Sequence, residues 1–226
     1  MFLTADYLEK LPIKYVGLWK SVGEQFHHPH GRAGQITGLV MRFINRLPNI
    51  YAIRFLEIKQ SEEVLEIGCG PGWALAKMAK LYDQCRITGV DLSSVMFKQA
   101  VANNKKDIQS GRVKLVQCSF ENLPLHNSSV DKILAVNVLY FFDSDGRAFS
   151  ELRRVLRTGG SISFYVTSKV SLANWKFDWS DTHRTFNERE LSIFLQSGAF
   201  ANDALKIHQV QIPFGIKGMV AVVRKT

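Results

Sequence analysis

The stretch VLEIGCGPGW, residues 64–73, places three glycines within five positions directly after a run of apolar residues. Glycine is used where the backbone turns tightly or where another group approaches it closely. The common explanation after a strand is the dinucleotide loop G-x-G-x-x-G, which holds a pyrophosphate. That pattern, started at Gly68 and Gly70, requires a third glycine at the position of Trp73. The segment therefore predicts a ligand-binding loop that is not a dinucleotide loop.

Strand and helix patterns alternate after this loop. Short apolar segments predict strands at residues 62–67, 86–90 (ending at Asp91), 112–117, 130–136 and 161–166. Between them lie helix-forming segments at residues 74–81 and from Ser93 or Ser94, as the cap, to about Asn103. A further helix is predicted through residues 151–156, and Gly159-Gly160 is expected to end it. This alternation predicts a parallel sheet with right-handed crossovers and helices on both faces. Ligands bind beyond the carboxyl ends of such strands, which is where the glycine loop lies.

The C-terminal part departs from the alternation. After a predicted helix at 187–196, residues 204–212 and 217–223 predict two strands joined through Pro213-Phe214-Gly215. So short a connection forces an antiparallel pair. The predicted fold is therefore α/β: a doubly wound, Rossmann-like sheet of seven strands, mostly parallel, with a C-terminal antiparallel hairpin.

The N-terminal part is expected to be a separate helical lid. Apolar residues follow helical spacing over residues 36–47, where Pro48 is expected to end the helix, and a second short helix is predicted over residues 49–57. We divide the chain into an N-terminal helical cap, residues 1–57, and a second domain, residues 58–226.

Composition places the chain among ordinary globular proteins. Of its 226 residues, 46% are hydrophobic and 22% are charged, so a normal core needs no disulfide or metal support. The three cysteines are an odd number without regular spacing, which argues against a disulfide framework and favours a reducing compartment. No two of them form a C-x-x-C pair, which argues against a cysteine zinc site. With no apolar run of roughly 18 residues and no secretion-signal pattern, we expect a cytoplasmic location.

The net charge of +9 has two interpretations. One is an anionic partner such as nucleic acid or a lipid surface. The other is a solvated basic surface, which we favour because the lysines and arginines are scattered rather than clustered.

Five elements in order resemble the class I S-adenosylmethionine-dependent methyltransferases. They are VLEIGCGPG, Asp91 at the end of the second strand, DKILAVNVLYFF (131–142), ELRRVLRTGG (151–160) and the final hairpin. The resemblance covers roughly residues 50–226 and implies S-adenosylmethionine as methyl donor and S-adenosylhomocysteine as product. The stretch QFHHPHGRAG (25–34) also resembles the leader of one bacterial group of small-molecule methyltransferases.

The resemblance assigns cofactor-binding roles that suit the residue types. S-adenosylmethionine has no phosphate, and Gly68, Gly70 and Gly72 let the backbone pass against its methionine and ribose parts. Glu66 suits the ammonium group of the methionine part; the alternative is a structural carboxylate that binds loop amides. Asp91 suits the ribose hydroxyls; the alternative is a cap on the following helix.

Residues after the third and fourth strands complete the predicted cofactor site. Many family members have an acid in place of Ser119 that receives the adenine amino group, so this departure weakens the assignment of that contact. Phe120 is either a wall against the adenine or a core residue. Asn137 closes the fourth strand beside the expected sulfonium. The resemblance also places Cys69 and Leu92 in this site.

We expect the acceptor site between two segments: residues 20–45 of the N-terminal part, the head, and an insertion at residues 168–186. The two segments are expected to meet over the crevice and to form a mostly apolar pocket. Candidate substrate-binding residues are His28, His30, Trp175 and Trp179, and candidate catalytic residues are Tyr140 and His183. Each has an alternative role in packing or at the surface. The spacing within FHHPH does not match common metal-ligand pairs, so we predict no metal site.

The predicted function is methyl transfer to a small-molecule acceptor by in-line displacement, for which alignment does most of the work. Nucleic-acid bases are disfavoured as acceptors because Asn137-Val138-Leu139-Tyr140 matches only the ends of the Asn-Pro-Pro-Tyr motif. One alternative is a non-catalytic cofactor-binding module, and another is a dinucleotide oxidoreductase, disfavoured by Trp73. A third is lipid or quinone-type methylation at a membrane surface, motivated by the net charge and the amphipathic helix at 36–47. The sequence specifies neither the acceptor nor the oligomeric state.

Overall fold

The computed structural model of the protein describes residues 45–143, 145–173, 184–197 and 199–226. The helices and strands, in chain order, are α1 (Arg46–Leu56), β1 (Glu63–Ile67), α2 (Trp73–Leu81), β2 (Arg86–Asp91), α3 (Ser94–Asn103), α4 (Lys105–Gln109), β3 (Val113–Gln117), β4 (Val130–Val136), α5 (Arg147–Val155), β5 (Leu156–Thr167), α6 (Lys169–Ala173), α7 (Glu188–Gln196), β6 (Ala204–Ile212) and β7 (Ile216–Arg224). Short 3-10 helices cover Leu139–Phe141 and Pro213–Gly215. Within these ranges, no helix combines the length and the apolar character needed to cross a bilayer.

The strands form one seven-stranded sheet in the order β3-β2-β1-β4-β5-β7-β6. The first five strands in this order run parallel, and β7 lies antiparallel to both β5 and β6. This confirms the predicted mostly parallel sheet with a C-terminal antiparallel hairpin. Chain order reverses on either side of β1, where β2 lies on one side and β4 on the other, and ligands bind at such a switch point.

Both faces of the sheet are covered by helices because residues along each strand alternate between faces. On β1, Leu65 and Ile67 pack in the core that α5 and α7 cover. Val64 packs on the opposite face, in the core that contains α1 and α2. The doubly wound arrangement is therefore confirmed, with two hydrophobic layers that are separated by the sheet.

The glycine pair after α5 was wrongly predicted to end that helix. The helix ends at Val155, and residues 156–167 form one long strand that includes both glycines. Gly159 donates its amide to the carbonyl of Lys225 at 2.8 Å, and the Lys225 amide donates to the carbonyl of Gly160 at 3.0 Å. The C-terminal residues thus hold this segment extended, and the register with β4 shifts there.

The N-terminal helix boundary also differs from the prediction. Pro48 lies inside the first turn of α1 rather than at the end of a preceding helix. Proline is tolerated there because the first amides of a helix have no acceptor within the helix. Residues 36–44 and the rest of the predicted lid lie outside the described residues, so the domain boundary at residue 57 stays a prediction.

Candidate functional site

A cavity of about 550 Å³ lies at the carboxyl ends of β1, β2 and β4. Its walls are the loop after β1, the residues that follow β2, β3 and β4, and the N-terminal turn of α1. Nine of the ten residues predicted for the cofactor site line it: Glu66, Gly68, Cys69, Gly70, Asp91, Leu92, Ser119, Phe120 and Asn137. The sheet topology therefore brings the predicted residues together, while their roles toward a cofactor stay predictions.

The loop after β1 needs glycine for different reasons at different positions. Gly68, Gly70 and Gly72 all have left-handed backbone angles, with φ of 60°, 52° and 77°. A Cβ at Gly70 would meet no atom within 4 Å, so this residue leaves open space beside the cavity. A Cβ at Gly72 would overlap the side chain of Asn104 and lie 3.1 Å from Ala100 of α3, so close packing against α3 favours glycine there. Gly72 is the one predicted cofactor residue that does not line the cavity.

Asp91 ties the glycine loop to the start of α3. Its Oδ2 accepts a hydrogen bond from the Gly70 amide at 2.8 Å, and its Oδ1 accepts one from the Ser93 amide at 2.9 Å. The cap of α3 is Ser93 itself, whose hydroxyl accepts from the Met96 amide. Burial raises the pKa of the Asp91 carboxyl. Each carboxylate oxygen keeps a further lone pair, which leaves Asp91 able to accept from hydroxyl groups of a ligand.

Glu66 is a buried acid, and its side chain takes part in none of the hydrogen bonds among the described residues. Its side chain is only 3% exposed, and Oε2 is fully buried and unpaired. Burial raises the pKa of Glu66 well above its ordinary value, and the nearby charge of Asp91 raises it further. The alternative role, a carboxylate bound to loop amides, has no counterpart among the described hydrogen bonds. A cationic group of a ligand would supply the partner that such an acid requires.

The cavity is acidic although the chain has a net charge of +9. Glu66, Asp91 and Glu121 line it, and the described lining residues include no lysine, arginine or histidine. Such a lining suits a cation and opposes a pyrophosphate. The electrostatics therefore agree with the failure of the dinucleotide pattern at Trp73.

The far end of the cavity has a polar loop and an aromatic wall. Ser119 Oγ accepts from the Glu121 amide at 3.2 Å. The ring of Phe120 lines the cavity and also stacks on Phe142, with 4.9 Å between ring centroids. Phe120 thus forms part of the cavity wall and also packs against the hydrophobic core. Leu92, at the rim, is 63% exposed.

Asn137 is fixed at the end of β4 by its neighbours. Its φ of 55° is left-handed, a conformation that asparagine tolerates better than most residues. Its Nδ2 donates to Asn45 Oδ1 at 2.8 Å, and its Oδ1 accepts from the Tyr140 hydroxyl at 2.9 Å. The Tyr140 hydroxyl also accepts from the Thr167 amide at 2.6 Å.

The hydroxyl of Tyr140 therefore reaches the cavity wall through its hydrogen bond to Asn137. It is not among the lining residues, and burial raises the pKa of its hydroxyl, so it stays a neutral donor. These contacts describe a positioning residue, and the catalytic role of Tyr140 stays a prediction.

The acceptor-site candidates His28, His30, Trp175, Trp179 and His183 lie outside the described residues. The two ends of the insertion are described. Ser168 bridges to Phe186, and the Lys169 amide donates to the Phe186 carbonyl at 2.8 Å. The Phe186 ring centroid lies 6.3 Å from that of Tyr140. The insertion thus leaves and rejoins the fold beside the residues that hold Asn137.

Two asparagines of the N-terminal helix region line the cavity although they were not predicted as site residues. Asn45, the residue before α1, and Asn49, in its second turn, both line the cavity. A signal was present in the sequence. Asn49 shares the helical spacing of Ala52, Ile53 and Leu56, so a polar residue occupies one position of an otherwise apolar face.

Comparison with known proteins decides the family. The model of a family described as a methyltransferase domain matches residues 65–164. An uncharacterized methyltransferase of Bacillus subtilis, YdaC, is 30% identical over 139 residues, which are 62% of this chain and 75% of the relative. The chain belongs to the class I S-adenosylmethionine-dependent methyltransferases. Membership of this family makes S-adenosylmethionine the methyl donor of this methyltransferase.

Further comparisons agree with this assignment. A malonyl-[acyl-carrier protein] O-methyltransferase of Legionella pneumophila is 30% identical over 128 residues, which are 57% of this methyltransferase and 44% of the relative. The chain thus spans less than half the length of that relative. A chain of the Haloferax volcanii complex between the Trm112 methyltransferase activator and a methyltransferase shares the fold, with a TM-score of 0.71 at 15% identity, covering 91% of this chain and 96% of the other.

Proposed function

We propose that this methyltransferase transfers the methyl group of S-adenosylmethionine to a small-molecule acceptor by in-line displacement, with the donor held in the acid-lined cavity. The observation that carries the proposal is the unpaired, buried Glu66 in a cavity that also presents Asp91 and Glu121. The donor carries a positive sulfonium and an ammonium, and an acidic cavity suits both. Family membership as an enzyme disfavours the non-catalytic module.

The roles of the lining residues follow from their chemistry. Glu66 would pair with the ammonium of the methionine part, and Gly70 would let the backbone approach the donor closely. Asp91, already fixed by the Gly70 and Ser93 amides, would accept from the ribose hydroxyls. The ring of Phe120 would face the adenine.

Bound S-adenosylmethionine supplies a methyl group on a sulfur that departs as a neutral thioether. The protein's task is then chiefly to align acceptor and donor and to exclude water. Asn137, whose amide group is held by Asn45 and Tyr140, offers a rigid edge at the end of β4 for that alignment. This supports a mechanism by positioning, with a base required only when the acceptor must lose a proton.

The small-molecule class is supported by what adjoins the donor cavity. The cavity itself, about 550 Å³, has a volume typical of small-molecule sites and holds the donor in this proposal. The insertion that we expect to complete the acceptor pocket emerges beside Tyr140. The Legionella relative, by its name, methylates a malonyl group carried on a protein, and only part of that relative is matched.

The proposal is tested with donor labelled in its methyl group, purified protein and a cell extract separated into small molecules, lipids, nucleic acids and proteins. We expect label to appear in a small-molecule product, and only when the protein is present. Asp91→Ala, assayed beside the wild type, should lose most of this transfer. Label that enters only protein, nucleic acid or phospholipid would overturn the proposed acceptor class.

A further inference from the structure

Asn49 occupies the one polar position on the buried face of α1. The other residues of that face, Ala52, Ile53 and Leu56, are between 0% and 3% exposed and belong to a hydrophobic core. Asn49 is itself only 7% exposed and lies near the N-terminal end of the helix, where it lines the cavity. An apolar residue would continue the packing of this face, so the amide requires an explanation.

Among the residues that the structure describes, the amide oxygen of Asn49 has no hydrogen-bond partner. Asn49 Oδ1 is fully buried and unpaired, whereas the oxygen of its neighbour Asn45 accepts from Asn137. A buried acceptor without a donor destabilises a folded protein. Such an atom at the wall of a ligand cavity indicates a donor that arrives with the ligand.

Glu66, on the same side of the sheet, also has a buried oxygen without a hydrogen-bond donor among the described residues. Glu66 and Val64 are two residues apart on β1 and so face the same way. Val64 packs in the core that contains Ala52, Ile53 and Leu56 of α1. Asn49 and Glu66 therefore approach the cavity from one side of the sheet, each with a buried oxygen that lacks a donor.

We infer that Asn49 is a donor-binding residue whose amide oxygen, together with the Glu66 carboxylate, accepts hydrogen bonds from the ammonium group of S-adenosylmethionine. This inference rests on the proposed function, because it assumes that the acid-lined cavity holds the donor. An ammonium group has three N–H bonds, and the two oxygens are acceptors from different elements. A neutral amide supplies the second acceptor without adding a further negative charge beside Glu66 and Asp91.

The test uses the full chain and two probes, S-adenosylhomocysteine and 5′-methylthioadenosine, which lacks the amino-acid part. Asn49→Leu keeps a similar volume and removes the acceptor. By titration calorimetry we expect this variant to bind S-adenosylhomocysteine about 10-fold or more weakly, and 5′-methylthioadenosine as the wild type does. The ligand-free variant should melt at the wild-type temperature or above it, because an unpaired buried oxygen has been removed.

A second variant, Asn49→Asp, retains an acceptor oxygen and should keep the affinity for S-adenosylhomocysteine within a few-fold of wild type. If Asn49→Leu does not fold, Asn49→Ala, which also removes the acceptor, takes its place with the same expected result. Equal weakening of both probes, or a lower melting temperature with unchanged affinity, would show that Asn49 acts in packing alone. Unchanged affinity in both variants would likewise overturn the inference. Failure of the wild type to bind S-adenosylhomocysteine would instead overturn the proposed donor site itself.

Discussion

Replacing Glu66 by glutamine should make the ligand-free protein more stable and the donor complex weaker. Glu66 is buried, and its pKa is raised by burial and then by Asp91. The folded state therefore binds this proton more tightly than the unfolded state does. Stability is lost as the pH rises from the ordinary carboxyl value of 4.5 through the raised pKa. Glu66→Gln has no such loss, so its advantage over wild type should be present at neutral pH and disappear in acid.

The loss of affinity can be worked from the same contact. A hydrogen bond to a charged group contributes about 1.5–3 kcal/mol and a neutral one about 0.5–1.5 kcal/mol. Glutamine keeps an acceptor oxygen at this position but carries no charge. Losing the charge should therefore cost about 1–2 kcal/mol, or roughly 5- to 30-fold in the dissociation constant of S-adenosylhomocysteine.

The assay combines urea denaturation between about pH 5 and 8 with titration calorimetry at each pH. Wild-type affinity should increase with pH as Glu66 ionises, and the affinity of Glu66→Gln should change much less. A variant that is less stable than wild type at neutral pH, with unchanged affinity, would refute this reasoning. That result would identify Glu66 as a structural carboxylate.

Three further predictions concern the glycine loop, Asp91 and the support that Asn104 gives to the loop. Gly70 and Gly111 both have left-handed backbone angles and open space around them, so Gly70→Ala and the control Gly111→Ala should each cost about 1–2 kcal/mol of stability. Only Gly70→Ala should weaken the binding of S-adenosylhomocysteine. Equal binding by the two variants would show that Gly70 does not face the donor. Asp91→Asn leaves one acceptor oxygen for the Gly70 and Ser93 amides, so the melting temperature and the affinity for S-adenosylhomocysteine should both fall. An unchanged affinity would show that Asp91 does not bind the donor. Asn104→Leu removes the hydrogen bonds to the Gly72 and Ala100 carbonyls and should lower the free energy of unfolding in urea by about 1–3 kcal/mol. A variant as stable as the wild type would show that these hydrogen bonds are dispensable.

The strands of the sheet could be predicted from the sequence because each is a short apolar segment bounded by polar residues. Strand β4 was predicted with its observed bounds, Val130–Val136, and the observed cap of α3, Ser93, is one of the two residues predicted for it, Ser93 or Ser94. The end of α5 was not predictable from local pattern. Gly159-Gly160 is a common helix stop, but here its backbone pairs with the distant residue Lys225.

The candidate site was predictable where it depends on the ends of neighbouring strands. Parallel strands end at one edge, so Glu66, Asp91 and Asn137 had to come together once the strand order was known. Asn49 was missed although it is a polar residue on an otherwise apolar helix face, because the local sequence does not show against which element that face packs. Tyr140 shows the converse: its nearness to Asn137 in sequence did not reveal that its hydroxyl donates to Asn137 and that Tyr140 itself does not line the cavity.

Titration calorimetry of the wild-type protein with S-adenosylhomocysteine and with NAD tests the central claim most directly. An acidic cavity, with Trp73 in place of the third glycine of the dinucleotide loop, should hold the methionine-derived ligand at one site per chain and give no measurable heat with NAD. Tight binding of NAD together with no heat from S-adenosylhomocysteine would contradict the account.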